Sequence, residues 1–342
     1  MNFPEVIDQH RQAFGPELTI MGHHYQTDEV IRHTDLRGDS LELARRMSEV
    51  RSRNIMFCGV YFMAESAALL AAPGQEVHIP DPAAECSMAV MSPAPLVDYV
   101  LDELAAQGRK VLPLAYVNST LAVKAAVGRH GGAVCTSANA KRMLEWALDK
   151  ADSVLFLPDE NLGANTGAQL GLKDDEMIIL GGHGREAQKA RLLLWPGFCS
   201  IHTRFTLEHV KRARAAHPEA TIIVHPECQP AVVKAVYLAG STSFIIRHAE
   251  ELPAGSTLIV GTEINLVKRL AEQHKGRITI LPLFESYCPH MAQITEERLA
   301  LALEDLAAAK KEGRDSSFVV RVADHLKAPA KATLERMFEA CS

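Results

Sequence analysis

The sequence has no run of apolar residues near the roughly 20 needed to cross a bilayer, which excludes a membrane-spanning helix. Its opening stretch, MNFPEVIDQHRQAFG, has no basic segment followed by an apolar one. No secretory signal is therefore expected, and the expected location is cytoplasmic. A basic stripe is also missing: Lys and Arg are scattered and the formal net charge is −6, which argues against nucleic acid as a partner. Seven cysteines, an odd number, do not make a disulfide framework; in a reducing compartment they are free thiols or metal ligands. With 47% apolar and 23% charged residues the chain is a soluble globular protein, and its 342 residues exceed the usual reach of one hydrophobic core.

What the sequence does hold is a repeat carried by order and spacing rather than by residue identity. Three apolar runs break into polar residues: LTIMGHHYQ (18–26), VLPLAYVNS (111–119) and TIIVHPEC (221–228). Each leads to a small hydroxyl cluster opening a helix, where Ser40, Ser137, and Ser241 or Thr242 are natural N-caps. A third run follows, NIMFCG (54–59), SVLFLPD (153–159) and TLIVGTE (257–263), and a last strand then delivers a cysteine: Cys86, Cys199 or Cys288. His23 and Cys86 stand 63 positions apart, as do His225 and Cys288, whereas Tyr116 and Cys199 are separated by 83. Most of the middle excess lies in GANTGAQLGLKDDEMIILGGHGREAQ, whose glycines suggest an inserted loop.

This order predicts an α/β fold of three homologous three-layer αβα units with parallel sheets. The units span 1–109, 110–205 and 206–290, set around a pseudo-threefold axis with the active site at the centre, where strand carboxyl ends meet. Residues 291–342 are expected to form a helical tail on the first unit, its first helix capped by Thr295 and ended by Gly313.

Three constellations carry the chemistry. Cys86, Cys199 and Cys288 share one slot beyond the last strand and suit a cluster, or a zinc ion with one position open. Cys58 sits in an apolar run and reads as core, Cys341 as exposed, and Cys135 and Cys228 as neighbours of the site rather than ligands. The helix N-termini at the hydroxyl clusters, if they converge, favour carboxylates or phosphate and hence a polyanionic substrate. The strand-end set His23, His24, Tyr25, Tyr116, Asn118, His225 and Glu227 offers general acids and bases. His78, His130, His183, His217, His248 and His274 have no counterpart in the repeat and read as surface or loop histidines.

The segments GHHYQ, GDSLELA, CGVYFMAE, PAAECSMA, YVNST, CTSANA, LPDENLG, WPGFCSIH, VHPEC, GSTS, GTEINL and CPHM, in this order, resemble the quinolinate synthase family from about residue 18 to 291. The resemblance implies three homologous α/β domains holding one 4Fe-4S cluster through a cysteine from each, here Cys86, Cys199 and Cys288. It implies condensation of iminoaspartate with dihydroxyacetone phosphate to give quinolinate, phosphate and water on the route to NAD, with the open iron as Lewis acid. Substrate contacts fall on His23, Ser40, Tyr116, Val117, Asn118, Ser137, His202, His225, Pro226, Glu227, Ser241 and Thr242. Tyr25, Glu227 and His23 are the implied catalytic groups, His202 lies near the cluster, and an L-aspartate oxidase is the implied source of iminoaspartate. Two departures stand out: GHHYQ replaces the commoner AHxYQ, and the single cysteine in ESYCPHM replaces the CxxCxxC run of some members. The rival readings are a zinc hydrolase or lyase on the same thiols and a non-catalytic iron-sulfur sensor.

Overall fold

The computed structural model describes residues 2–181 and 190–342; His183 and part of the expected insertion lie outside them. Among the described residues three parallel sheets succeed one another along the chain, giving the expected α/β architecture. The first contains β1 (Leu18–His23), β2 (Leu36–Gly38), β3 (Asn54–Cys58) and β4 (Glu76–His78), in the order β2-β1-β3-β4. The second contains β5 (Val111–Tyr116), β6 (Ala133–Cys135), β7 (Ser153–Leu157), β8 (Met177–Ile179) and β9 (Leu192–Leu194), in the order β6-β5-β7-β9-β8. The third contains β10 (Thr221–Val224), β11 (Thr257–Gly261) and β12 (Thr279–Pro282), and a parallel bridge from Val224 to Ala239 takes the place held by β2 and β6. Each sheet therefore runs partner, opening strand, third strand, last strand, and in the second β8 adds a fifth strand beyond β9.

The local sequence explains these strands. β3 (NIMFC) and β7 (SVLFL) are buried at every position, as a parallel strand covered on both faces requires. The helix after each third strand is ten residues long: Tyr61–Leu70, Glu160–Gln169 and Ile264–Gln273. In the middle unit the sequence suggested a plain loop, but the segment supplies part of the helix Glu160–Gln169 and the edge strand β8. Two of its glycines serve close packing: a Cβ on Gly163 would stand 2.5 Å from Leu194, and one on Gly167 would stand 2.6 Å from the Met177 sulfur, while Gly171 and Gly181 make turns at φ 82° and 93°.

The chain divides into two compact units, Met1–Cys86 with Tyr287–Ala323, and Ser87–Ser286 with Asp324–Ser342. In the first, the helix Glu296–Glu312 packs on Phe3–Phe14, and His33 Nε2 lies 2.8 Å from Glu296 Oε1. Thr295 accepts the Arg298 amide and Gly313 closes the helix at φ 68°. The chain then returns along the open edge of β4: Val320 N–H donates to Val77 O at 2.8 Å and Ile79 N–H to Phe318 O at 3.0 Å. His78 is thereby fully buried, which corrects its reading as a surface or loop histidine.

In the second unit, the helix Asp324–Cys341 packs on the helix Leu121–Arg129 and on β6, not on the first unit as expected. Gly128 makes this possible, because a side chain there would run into the Pro329 carbonyl. Leu334 and Met337 are buried in the contact, each contributing about 1.5–3 kcal/mol. An amphipathic stripe signals that a helix must be covered without naming its cover. Cys341 is half-buried rather than exposed, and Asn139 Nδ2 donates to its sulfur at 3.4 Å. Among the described residues no helix is long and apolar enough to cross a membrane.

Candidate active site

The three opening strands end in related turns. At β1, the Tyr25 N–H donates to His23 Nδ1 at 3.1 Å and the Gln26 N–H to His23 O at 3.0 Å. After β10, the Glu227 N–H donates to His225 Nδ1 at 3.4 Å and the Cys228 N–H to His225 O at 3.0 Å. His23 and His225 are thus equivalent, as are Tyr25 and Glu227. With Nδ1 acting as acceptor at His23, a neutral ring there carries its proton on Nε2, whereas the His225 Nδ1 stands equally, at 3.4 Å, from the Glu227 carboxylate oxygen Oε2. The strand register places Tyr116 at the matching point, since His23 pairs with Gly38 as Tyr116 pairs with Cys135. The buried ammonium of Lys124 donates to Ser119 O at 2.7 Å, securing the turn that carries Val117 and Asn118.

The cysteine loops share a main-chain tether. The first amide of each ten-residue helix donates to the carbonyl two residues before the cysteine: Tyr61 to Ala84 at 2.8 Å, Glu160 to Gly197 at 2.8 Å, and Ile264 to Ser286 at 2.9 Å. Cys86, Cys199 and Cys288 are half-buried, whereas Cys58, Cys135 and Cys228 are sealed. Burial pushes the thiols of all three sealed cysteines upward, keeping them protonated. Cys228 belongs to the apolar core under the third sheet with Phe205, Val224 and Val232.

Cys199 stands beside a buried polar group. His202 Nδ1 lies 2.5 Å from Glu227 Oε2 and 3.2 Å from Cys199 Sγ, while His202 Nε2 lies 3.1 Å from Thr262 Oγ1. The rings of His202 and His225 stack at 4.4 Å. Burial pushes the Glu227 carboxyl up, but His202 and His225 outweigh burial and hold it well below the usual carboxylate range. Burial and the neighbouring His225 lower His202, against the pull of Glu227. A carboxylate facing a neutral imidazole follows: Nδ1–H donates to Glu227, and Nε2 accepts from the Thr262 hydroxyl. Among the described residues Glu227 Oε1 has no hydrogen-bond partner, leaving one buried acceptor open.

Cys199, His202 and Glu227 offer ligand atoms within 4.8 Å of one another. Two ligands sharing a tetrahedral zinc ion stand roughly 3.4 Å apart, so the 2.5 Å contact is a hydrogen bond between Glu227 and His202. Thiolates are the ligands that iron-sulfur centres use, and Cys86, Cys199 and Cys288 are each half-buried on a tethered loop.

The hydroxyl clusters depart in part from expectation. Ser241 is an N-cap, accepting the Phe244 N–H at 3.3 Å, and Thr242 is the first residue of its helix. Ser40 is not a cap: Asp39 caps the helix Ser40–Arg46 in a reciprocal box with Glu42. Ser137 lies in a turn before Asn139, the residue preceding the helix Ala140–Leu148. Asn139 makes no side-chain cap there, its Oδ1 taking the Thr136 N–H at 2.7 Å instead.

Two residues that the sequence reading left without a role organise this site. Asp159, fully buried, accepts the Leu162 N–H at 2.7 Å and the Cys199 N–H at 3.1 Å. Burial and the Glu227 charge push its carboxyl well above the ordinary range, against three backbone amides. Asn165 donates to Pro226 O and Cys228 O, both at 2.8 Å, and so holds the turn carrying Glu227. The segment LPDENLGANTG (157–167) was the available signal, since Asp159, Asn161 and Asn165 beside a buried strand need partners.

Fold and site define an α/β enzyme with three parallel sheets, a histidine–carboxylate pair and a half-buried thiol beyond the strand ends. The sequence matches the quinolinate synthetase A protein family over residues 5–339. Among curated relatives named quinolinate synthase, that of Corynebacterium glutamicum is 43% identical over 97% of this chain and 86% of its own length. Those of Acidobacterium capsulatum and Bacillus pumilus are 41% and 44% identical, covering 98% and 88% of this chain and 92% and 84% of their own. The chain belongs to the quinolinate synthetase A family, whose members condense and dehydrate their substrates.

Proposed function

We propose that this protein is a cytoplasmic quinolinate synthase, condensing iminoaspartate with dihydroxyacetone phosphate to form quinolinate, phosphate and water for NAD biosynthesis. The observation that carries the reading is the Glu227–His202 pair beside Cys199, in a chain that matches the family over nearly its whole length. The three repeats over 1–109, 110–205 and 206–290 would surround a pseudo-threefold axis. Cys86, Cys199 and Cys288 would hold one 4Fe-4S cluster. When bound, that cluster supplies a Lewis-acidic iron without a protein thiolate, which assists loss of hydroxide.

The chain's own groups do the rest. The Glu227 carboxylate accepts a substrate proton at Oε1, while His202 holds its other oxygen and Thr262 orients His202. The His23 Nε2–H donates to a substrate oxygen, His225 contacts the substrate beside Glu227, and the Tyr25 phenol serves as a second proton-transfer group. Ser241 and Thr242, at the N-terminus of their helix, with Ser40 and Ser137, bind carboxylate or phosphate oxygens. Tyr116, Val117, Asn118 and Pro226 fix the reactants for ring closure by proximity. Because iminoaspartate is unstable, supply by an L-aspartate oxidase is part of the proposal.

An anaerobic assay for quinolinate from the two substrates tests the reading. Product formation that needs both substrates supports it; a cluster-loaded protein that makes none rejects it.

A further inference from the structure

We propose that Asp159 is a positioning residue that sets the Cys199 thiol through the cysteine's own amide. This rests on the reading of Cys199 as a cluster ligand. Asp159 caps the helix Glu160–Gln169 with one carboxyl oxygen, taking the Leu162 N–H at 2.7 Å. Its other oxygen takes the Cys199 N–H at 3.1 Å. Next to it, the Glu160 N–H donates to Gly197 O at 2.8 Å, so the loop is held on both sides of Phe198. Val60 and Glu263 occupy the equivalent place in the other repeats. The middle loop carries its side-chain anchor, Asp159 to the Cys199 amide, in addition to its main-chain tether.

The anchor has a direct consequence for the thiol. An amide directed into a buried carboxyl is withdrawn from the sulfurs of a cluster, and amide-to-sulfur hydrogen bonds are one of the terms that set a cluster's potential. It also fixes the backbone at Cys199, and with it the arc its sulfur can sweep.

Two substitutions separate capping from anchoring. Asp159→Ser keeps a hydroxyl that caps the helix but is too short to serve both amides. Asp159→Asn can cap through Oδ1 but turns an NH2 donor toward the Cys199 N–H. Each full-length protein would be purified anaerobically, loaded with iron and sulfide, and compared with the wild type. The readouts are iron content, the electron paramagnetic resonance spectrum of the reduced cluster, its midpoint potential, and the rate of iron loss to a chelator.

Both variants should load iron and melt near the wild type, yet show a shifted spectrum and potential and lose iron roughly tenfold faster, as loss of one buried hydrogen bond implies. A spectrum, potential and loss rate equal to the wild type in either folded variant overturns the proposal. If neither variant folds, hydrogen exchange in wild-type protein labelled with 15N-cysteine decides: slow exchange of the Cys199 amide supports the anchor and fast exchange overturns it. A wild type that holds no cluster rejects instead the ligand assignment beneath it.

Discussion

His202 Nδ1 and Glu227 Oε2 meet at 2.5 Å in a setting where both side chains are almost wholly buried. Such a pair loses much of its hydration on folding and depends on its partners for charge balance, so changes on either side should be felt at the chemistry.

Glu227→Gln keeps the shape and removes the charge. Turnover should fall by roughly 10²-fold or more, the usual scale for a lost acid–base group, while product still binds. Single-turnover kinetics beside equilibrium product binding under anaerobic conditions measures this. Normal turnover would take Glu227 off the catalytic list.

The thiols should sort by position. Cys86→Ala, Cys199→Ala and Cys288→Ala are each expected to lose the brown colour, near 400 nm, and most bound iron. Cys58→Ala and Cys341→Ala should keep both, although Cys58→Ala costs about 1–2 kcal/mol for the small cavity it leaves. Full iron in any of the first three would dismiss that residue as a ligand.

His78 gives a pH dependence away from the site. Burial lowers its pKa to about 4, with Asp305 pulling up and Arg321 pushing down. The unfolded chain takes up the proton near pH 6.5, before the folded chain does. Stability is therefore full above about 6.5, falls with pH, and is about 2 kcal/mol lower by pH 5 through this residue alone. Its two ring nitrogens have no hydrogen-bond partner among the described residues. His78→Leu should thus abolish this slope and be at least as stable at pH 7. Urea midpoints of both proteins at pH 5 and pH 7 provide the comparison, and parallel slopes would contradict it.

Gly128→Ala tests the seat of the last helix. The added methyl meets main chain at Pro329, which cannot rotate away, so a loss of about 1–3 kcal/mol is expected. Thermal melts and limited proteolysis after residue 323 would report it. Unchanged stability would mean that the helix shifts at little cost.

Much of this architecture was legible because parallel strands announce themselves: continuous apolar runs break into His, Tyr or Glu where a sheet ends, as at His23, Tyr116 and His225. The turn that makes His225 and Glu227 neighbours of His202 was not, since it depends on Asn165, from a distant helix, satisfying two carbonyls. Capping at Ser40 was misjudged because the neighbouring Asp39 competes for the same position with equal propensity, and at Ser137 because the turn runs two residues further before the helix begins. The seat of the last helix escaped for another reason: Gly128 reads as a weak helix residue until a neighbouring backbone is seen to press on it.

The tether from Tyr61, Glu160 and Ile264 to Ala84, Gly197 and Ser286 is drawn wholly from peptide groups. Selection acting on such a strut is blind to lettering, so each copy could be rewritten residue by residue while its cysteine stayed at the same station. The likeness of the three loops is then carried by amides and carbonyls, whatever side chains stand around them.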